Sequence, residues 1–292
     1  MTKDLVSSKF KTYLSLTKPG IIRGNIVVAS TGFLLASKGN VHVGPLLGLI
    51  AGTSLVIASA CVFNNYIDRG IDKKMARTKN RAMVQGRISP RNALVYASLL
   101  GIVGMSLLAG STNALTVWIG IIGFIDYVVI YGIVKRRSVY GTLVGSVSGA
   151  VPPVAGYCAV TNRLDSAAGL LFLIMVFWQM AHFFAIAIYR FNDYKTASLP
   201  VLPVIKGIQV AKLQILFYIA AFTVAASQLY IMGYSSSGYF IIACGLGIFW
   251  FGMGIRGFKT NDDTKWARKM FLLSLVVISL LCATISADAL FR

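Results

Sequence analysis

The chain contains no glutamate, so any carboxylate chemistry falls on its nine aspartates. Histidine is nearly absent too, with only His42 and His182. The four cysteines, Cys61, Cys158, Cys244 and Cys282, all lie inside apolar runs. Their spacing fits neither a metal site nor haem attachment, and they read as small packing residues. Charged residues make up 13% of the chain against 57% hydrophobic, which excludes a soluble domain. The shortage of acids leaves a net charge of +19. A nucleic-acid-binding face is nonetheless excluded, because the cations sit in short loops and not along a solvated surface. No cleavable signal is expected. The first apolar run begins near Gly20 without a small-residue cleavage site and reads as a retained helix.

What the chain has in abundance is apolar runs of about twenty residues, the span of a bilayer core. They predict an all-α polytopic membrane protein forming a single domain over 1–292. Nine spans are expected, at about 21–37, 46–66, 92–109, 114–134, 141–160, 167–188, 210–231, 239–256 and 269–287. Pro152 and Pro153 fall inside the fifth and predict a local break, of the kind neighbouring helices can satisfy. Gly141, Gly145 and Gly149 recur every fourth residue there, a pattern of close helix packing. Before the first span, Val6, Phe10, Tyr13 and Leu14 share one helical face, while Lys3, Lys9 and Lys11 lie on others. That predicts a cytoplasmic amphipathic segment over 1–19.

The cations test the count. With the N-terminus inside, every Lys and Arg except Lys38, Arg163 and Arg292 falls on the inner side. This asymmetry is the expected one for cytoplasmic loops. It puts the loops at 64–91, 189–209 and 257–268 in the cytoplasm and the C-terminus outside.

The first of these loops is the chemical centre. Asn64, Asp68 and Asp72 stand four residues apart at the end of an apolar run. Four helical residues turn about 400°, so successive members drift by only about 40° and share one face. Two carboxylates so placed can hold Mg²⁺, which leaves its other positions for water and substrate phosphates. Arg69, Lys73, Lys74, Arg77, Lys79 and Arg81 surround them. That mixture suits a diphosphate with its metal ions. Basic residues alone would only fix topology, but carboxylates contribute nothing to orientation.

Later segments echo this one. Asp72, Lys74, Ala76 and Gly86 match Asp193, Lys195, Ala197 and Gly207 at a constant offset. Parallel repeats of four helices, with one closing helix, would fit. The second copy has Tyr189 where the first has Asp68, so it supplies one carboxylate only. Two ionisable residues fall within spans, where they usually face the bundle interior. These are Asp126, with no partner evident, and His182, about 16 Å up the helix from Asp193.

Five segments carry a resemblance: L-T-K-P-G at Leu16–Gly20, N-N-Y-I-D-R-G-I-D at Asn64–Asp72, R-T-K-N-R at Arg77–Arg81, W-Q-M-A-H at Trp178–His182 and D-Y-K-T-A-S-L-P-V-L-P-V at Asp193–Val204. Together they resemble the intramembrane prenyltransferase superfamily over nearly the whole chain. The last two resemble its haem-modifying branch. Ala181 departs from the branch, which usually has Pro before the His, and puts a local backbone bend in doubt. The resemblance implies that farnesyl diphosphate alkylates the 2-vinyl group of haem B in a bacterial inner membrane, with water completing the side chain and haem O and diphosphate as products. It implies Mg²⁺ on Asp68 and Asp72 with Asn64 assisting, and phosphate contacts from Lys74, Arg77 and Lys195. Asp193 would hold a second metal or orient a Lys, and His182 would serve the acceptor half of the reaction. A terminal oxidase would consume the product. Two other readings remain at this stage: prenylation of a quinone-ring precursor, and secondary transport.

Overall fold

A computed structural model describes residues 10–291. The roles expected of Lys3, Val6, Lys9 and Arg292 lie outside the described residues. Among the described residues, nine helices are long and apolar enough to cross a membrane. They are α1 (Pro19–Ser37), α2 (Val43–Asp72), α3 (Pro90–Ser111), α4 (Ala114–Val134), α5 (Gly141–Thr161), α6 (Ser166–Tyr189), α7 (Ile208–Ile231), α8 (Ser237–Lys259) and α9 (Asp263–Phe291). The starts follow local chemistry. Ser89, Asn113, Asp165 and Ser236 each accept a backbone N–H in the first turn of α3, α4, α6 and α8. Such caps satisfy donors that a helix start leaves without partners.

Helices α2 to α5 pack in sequence and close α5 onto α2; α6 to α9 do the same, closing α9 onto α6. Helix α1 fills the seam, touching α2, α5 and α9. Two groups of four are therefore present, and the helix left over is the first one and not a closing α9. Helix α6 is the most enclosed span, held by α5, α7 and α9. The outer faces carry Ile102, Trp118, Phe217, Ile241 and Ile248, all well exposed. An apolar exterior is what a lipid solvent requires.

Helix α5 does not break at its prolines. Pro152 and Pro153 are buried within a continuous helix. Gly32 on α1 lies against the Pro153 carbonyl, and Gly156 against the Ala29 carbonyl. A side chain at either glycine would collide with backbone, so the two helices meet through missing Cβ atoms. The Gly141, Gly145 and Gly149 series works likewise: they face Lys135, the Tyr131 ring and the Gln179 side chain. The first two bring the end of α4 close to the start of α5.

The chain before α1 is helical over 10–16. It is tied to the protein: Asn65 donates to the Leu16 carbonyl at 2.8 Å, and Tyr13 meets Tyr96 edge-on at 5.2 Å. The end of α1 at Gly39 sits beside the Ala289 and Leu290 carbonyls near the end of α9. Both lie opposite the end of α2 that carries Asp68 and Asp72.

Lys212 is 2% exposed near the start of α7. It pairs with Asp263, donates to the Gly257 carbonyl and approaches the Trp266 ring. Stripping the partner from a buried ammonium costs more than replacing that ammonium with an apolar group. Asp263→Ala should therefore lower stability by about 3 kcal/mol, and Lys212→Met should lower it by less. Thermal unfolding in detergent checks the order; the reverse order would contradict the pairing.

Candidate active site

Helix α2 continues past its apolar segment to Asp72, and this extension puts Asn64, Asp68 and Asp72 on one face. Asn64 and Asp72 are buried. Two cations arrive from the end of α4. Lys135 Nζ donates to Asn64 Oδ1 at 2.6 Å and to Asp68 Oδ2 at 2.7 Å. Arg136 donates to Asp68 Oδ1 at 3.0 Å and to the Ile67 carbonyl at 2.7 Å. Arg81 folds back onto Asp72 Oδ2 at 2.6 Å, and the Thr78 hydroxyl donates to the Asp72 carbonyl at 2.9 Å. The loop is folded and not a solvated linker, because Met75, Ala82, Met83 and Ile88 are buried.

This cluster forms the mouth of a cavity of about 830 Å³. Asn64, Asp68, Asp72, Arg77, Arg81 and Lys135 line the mouth together with Lys18, Arg190 and Tyr194. Lys18 holds a left-handed backbone, φ 53°, just ahead of Pro19. Burial pulls the pKa of Lys18 below the ordinary lysine value, with Asp68 among the groups opposing that shift. Burial pulls Lys135 down as well, against the attraction of Asp68. Tyr194 is pushed up by burial, and Arg77 beside it opposes the rise. That neighbour relation brings the 189–209 loop onto the 64–91 loop.

Deeper in, the walls turn apolar. Thr53, Val56, Ile57 and Ala60 line one side, and Trp178, His182, Phe271 and Ile278 the other. His182 Nδ1 lies 2.6 Å from Ser274 Oγ, and Trp178 stacks on its ring at 4.7 Å. Trp178 Nε1 donates to the Ser274 carbonyl at 2.7 Å.

The cavity thus gathers Asn64, Asp68, Asp72, Arg77 and His182; Lys74, Asp193 and Lys195 are not among its lining residues. Asp193 lies in the short helix Phe191–Thr196. Asp126 gains a partner, accepting the Ser148 backbone N–H at 3.1 Å. It opens a π-helical turn, Asp126–Ile130, and ties α4 to α5 beside the cavity. Sequence reasoning used Lys135 and Arg136 only as topology signals and missed Ser274. The available signal for the pair was their place at a helix end on the acidic side.

The profile of the UbiA prenyltransferase family matches residues 25–276. The chain belongs to the UbiA prenyltransferase family. The protoheme IX farnesyltransferase of Klebsiella pneumoniae subsp. pneumoniae is 54% identical over 280 residues, covering 96% of this chain and 95% of that protein. The enzyme of the same description from Enterobacter sp. has the same identity and coverage. Among solved structures, a digeranylgeranylglyceryl phosphate synthase has a TM-score of 0.82 at 17% identity, covering 98% of this chain and 100% of its own. A UbiA homologue from Archaeoglobus fulgidus bound to GPP and Mg²⁺ has a TM-score of 0.69 at 14% identity, covering 96% and 100%. At those identities they establish the UbiA fold.

The donor set of this UbiA-family protein fits a divalent cation completed by substrate. No group of three or more His, Cys, Asp or Glu side chains among the described residues could hold a metal ion alone. Asn64 Oδ1 and Asp68 Oδ2 nevertheless converge on one positive point, the Lys135 ammonium. Mg²⁺ takes one or two carboxylates and fills its shell with water and phosphate oxygens, so two protein oxygens suffice.

Proposed function

We propose that the protein is a haem O synthase, transferring the farnesyl group of farnesyl diphosphate to the 2-vinyl group of haem B. The observation that carries this reading is 54% identity over 96% of the chain to protoheme IX farnesyltransferases. The cavity's division into a charged mouth and an apolar interior supports it. Cleaving the C1–O bond of an allylic diphosphate separates an allylic cation from a highly charged leaving group. Preorganised positive charge aimed at that leaving group lowers the barrier. Arg77, Arg81 and Lys135 supply that charge. Asn64 and Asp68 would hold Mg²⁺, with Asp72 beside them, and the ion would neutralise phosphate charge when bound. The apolar wall from Asp68 back to Thr53 is about 22 Å long at about 1.5 Å per residue, room for an extended prenyl tail. The farnesyl C1 forms a bond to the vinyl terminus. Water then adds to the carbon next to the ring and releases a proton, leaving haem O and diphosphate. Lys74 and Lys195 would act from outside the cavity lining, on the diphosphate as it enters, and Asp193 would orient Lys195.

Transport suits the arrangement poorly, since transporters keep their polar site near the midplane and this one clusters at helix ends. The test is to incubate purified protein with Mg²⁺, farnesyl diphosphate and haem B, with a quinone-ring precursor in parallel. Haem O should appear on chromatography. Prenylation of the aromatic ring alone would replace this reading with its nearest rival.

We also propose that the N-terminus and the acidic mouth face the cytoplasm, on the strength of the cation asymmetry. A reporter fused at the C-terminus should read as periplasmic, and one in the 257–268 loop as cytoplasmic. The same compartment for both would contradict nine crossings.

A further inference from the structure

We infer that His182 is the axial ligand to the iron of the porphyrin acceptor, and that Ser274 positions it for that role. The inference rests on the proposed haem chemistry and deepens it. Ser274 Oγ makes two short contacts, 2.6 Å to His182 Nδ1 and 2.6 Å to the Phe271 carbonyl oxygen. A hydroxyl has one proton to give, and a carbonyl can only accept. The Ser274 proton therefore goes to Phe271, because two oxygens at 2.6 Å need a proton between them. The Ser274 oxygen is then an acceptor toward His182, so Nδ1 carries the imidazole proton. Nε2 keeps its lone pair, and it has no hydrogen-bond partner among the described residues.

That arrangement is the one metal-binding histidines use: one ring nitrogen is fixed by an outer partner, and the other is free for the metal. The ring is also held in place. Trp178 stacks on it at 22°, anchored by its own bond to the Ser274 carbonyl, and Phe183 and Phe271 close in at 5.4 and 5.1 Å. Rotating the imidazole would break the Ser274 contact and the stack together. His182 lines the cavity, so the nitrogen left for a ligand belongs to the acceptor space.

A second role, as base for the water addition, suits these surroundings badly. It would make an imidazolium 7% exposed, facing aromatic rings and a neutral hydroxyl, with no ion pair to a carboxylate among the described residues. Burying an unpaired charge is costly. A ligand stays neutral. Anchoring the iron would also hold the macrocycle at a fixed depth in the cavity, with its rim toward the farnesyl C1.

The test uses purified wild-type protein, His182→Ala, His182→Gln, Ser274→Ala and Ser274→Thr, with no prenyl substrate. Each is titrated with haem B and with iron-free protoporphyrin IX, followed by the Soret band and by electron paramagnetic resonance. Wild type should give an imidazole-ligated haem. Both His182 variants should lose that signature and bind haem at least tenfold more weakly, with free imidazole restoring the spectrum. Their affinity for the iron-free porphyrin and for farnesyl diphosphate should stay within about twofold of wild type. Ser274→Ala should keep a ligated haem with a shifted spectrum, and Ser274→Thr should return it to wild type. An unchanged haem spectrum in both His182 variants overturns the ligand assignment, as does equal loss of iron-free porphyrin binding. Haem O formation by wild type in that case leaves the proposed function standing. A wild-type protein that neither binds haem nor forms haem O overturns both.

Discussion

Asp68→Asn and Asp72→Asn should each lower haem O formation by two to three orders of magnitude while the protein still inserts and folds. Removing one preorganised group that stabilises developing charge costs about 10²–10³ in turnover, equivalent to about 3–4 kcal/mol. Asp68 provides one of the two oxygens that meet at a single cationic point. Asp72 holds Arg81, which the proposed reaction would aim at the leaving diphosphate. Asparagine keeps the size at both positions, removes the charge and turns one acceptor oxygen into a donor. Raising Mg²⁺ should recover part of the Asp68→Asn loss. It should recover little in Asp72→Asn, where the fault lies in the placement of an arginine. Turnover near wild type in either variant at low Mg²⁺ would remove these carboxylates from the chemistry.

Lys135→Met should produce two effects of opposite sign. The Lys135 ammonium holds the two oxygens, Asn64 Oδ1 and Asp68 Oδ2, that suit a divalent cation. Deleting a competing positive charge should tighten binding of Mn²⁺, read directly by spin resonance without any prenyl substrate. The same deletion removes a counter-charge for the departing diphosphate, so turnover should fall by about tenfold to a hundredfold. Methionine preserves the length of the aliphatic stem and removes the ammonium from over the Tyr131 ring, where it sits 4.8 Å from the centre. Weaker Mn²⁺ binding together with wild-type turnover would show that Lys135 is only a surface anchor.

The acidic face was legible in the sequence because it depends on local register alone. Asn64, Asp68 and Asp72 are one helical turn apart, and no tertiary information is needed to align them. The spans were legible for the same kind of reason, since bilayer thickness sets run length. Lys135 was hidden by its chemistry. A lysine at a helix end serves orientation in most membrane proteins, and its partners Asn64 and Asp68 come from a different helix. Only the packing of the α4 end against α2 delivers it. Ser274 was silent, because a serine in an apolar helix usually satisfies its own backbone. Its second contact, to His182, exists only once α9 packs on α6. The expected break at Pro152 and Pro153 does not occur: the helix stays continuous there, with α1 packed closely on it where Gly32 meets the Pro153 carbonyl. The repeat was visible as an echo between Asp72 and Asp193. Which helix stands outside it depended on α5 closing onto α2 and α9 onto α6, and that left α1 over.

The most direct measurement is anomalous scattering from Mn²⁺ in crystals of the protein with an uncleavable farnesyl thiodiphosphate. The expected result is a peak within coordinating distance of Asn64 Oδ1 and Asp68 Oδ2, bridged to the diphosphate, with Lys135 Nζ moved from those oxygens onto phosphate. The prenyl tail should run along α2 toward Thr53, leaving His182 free on the opposite wall. A metal peak away from α2, with Lys135 still on Asp68 and the diphosphate bound elsewhere, would contradict the assignment of this mouth as the site where the C1–O bond breaks.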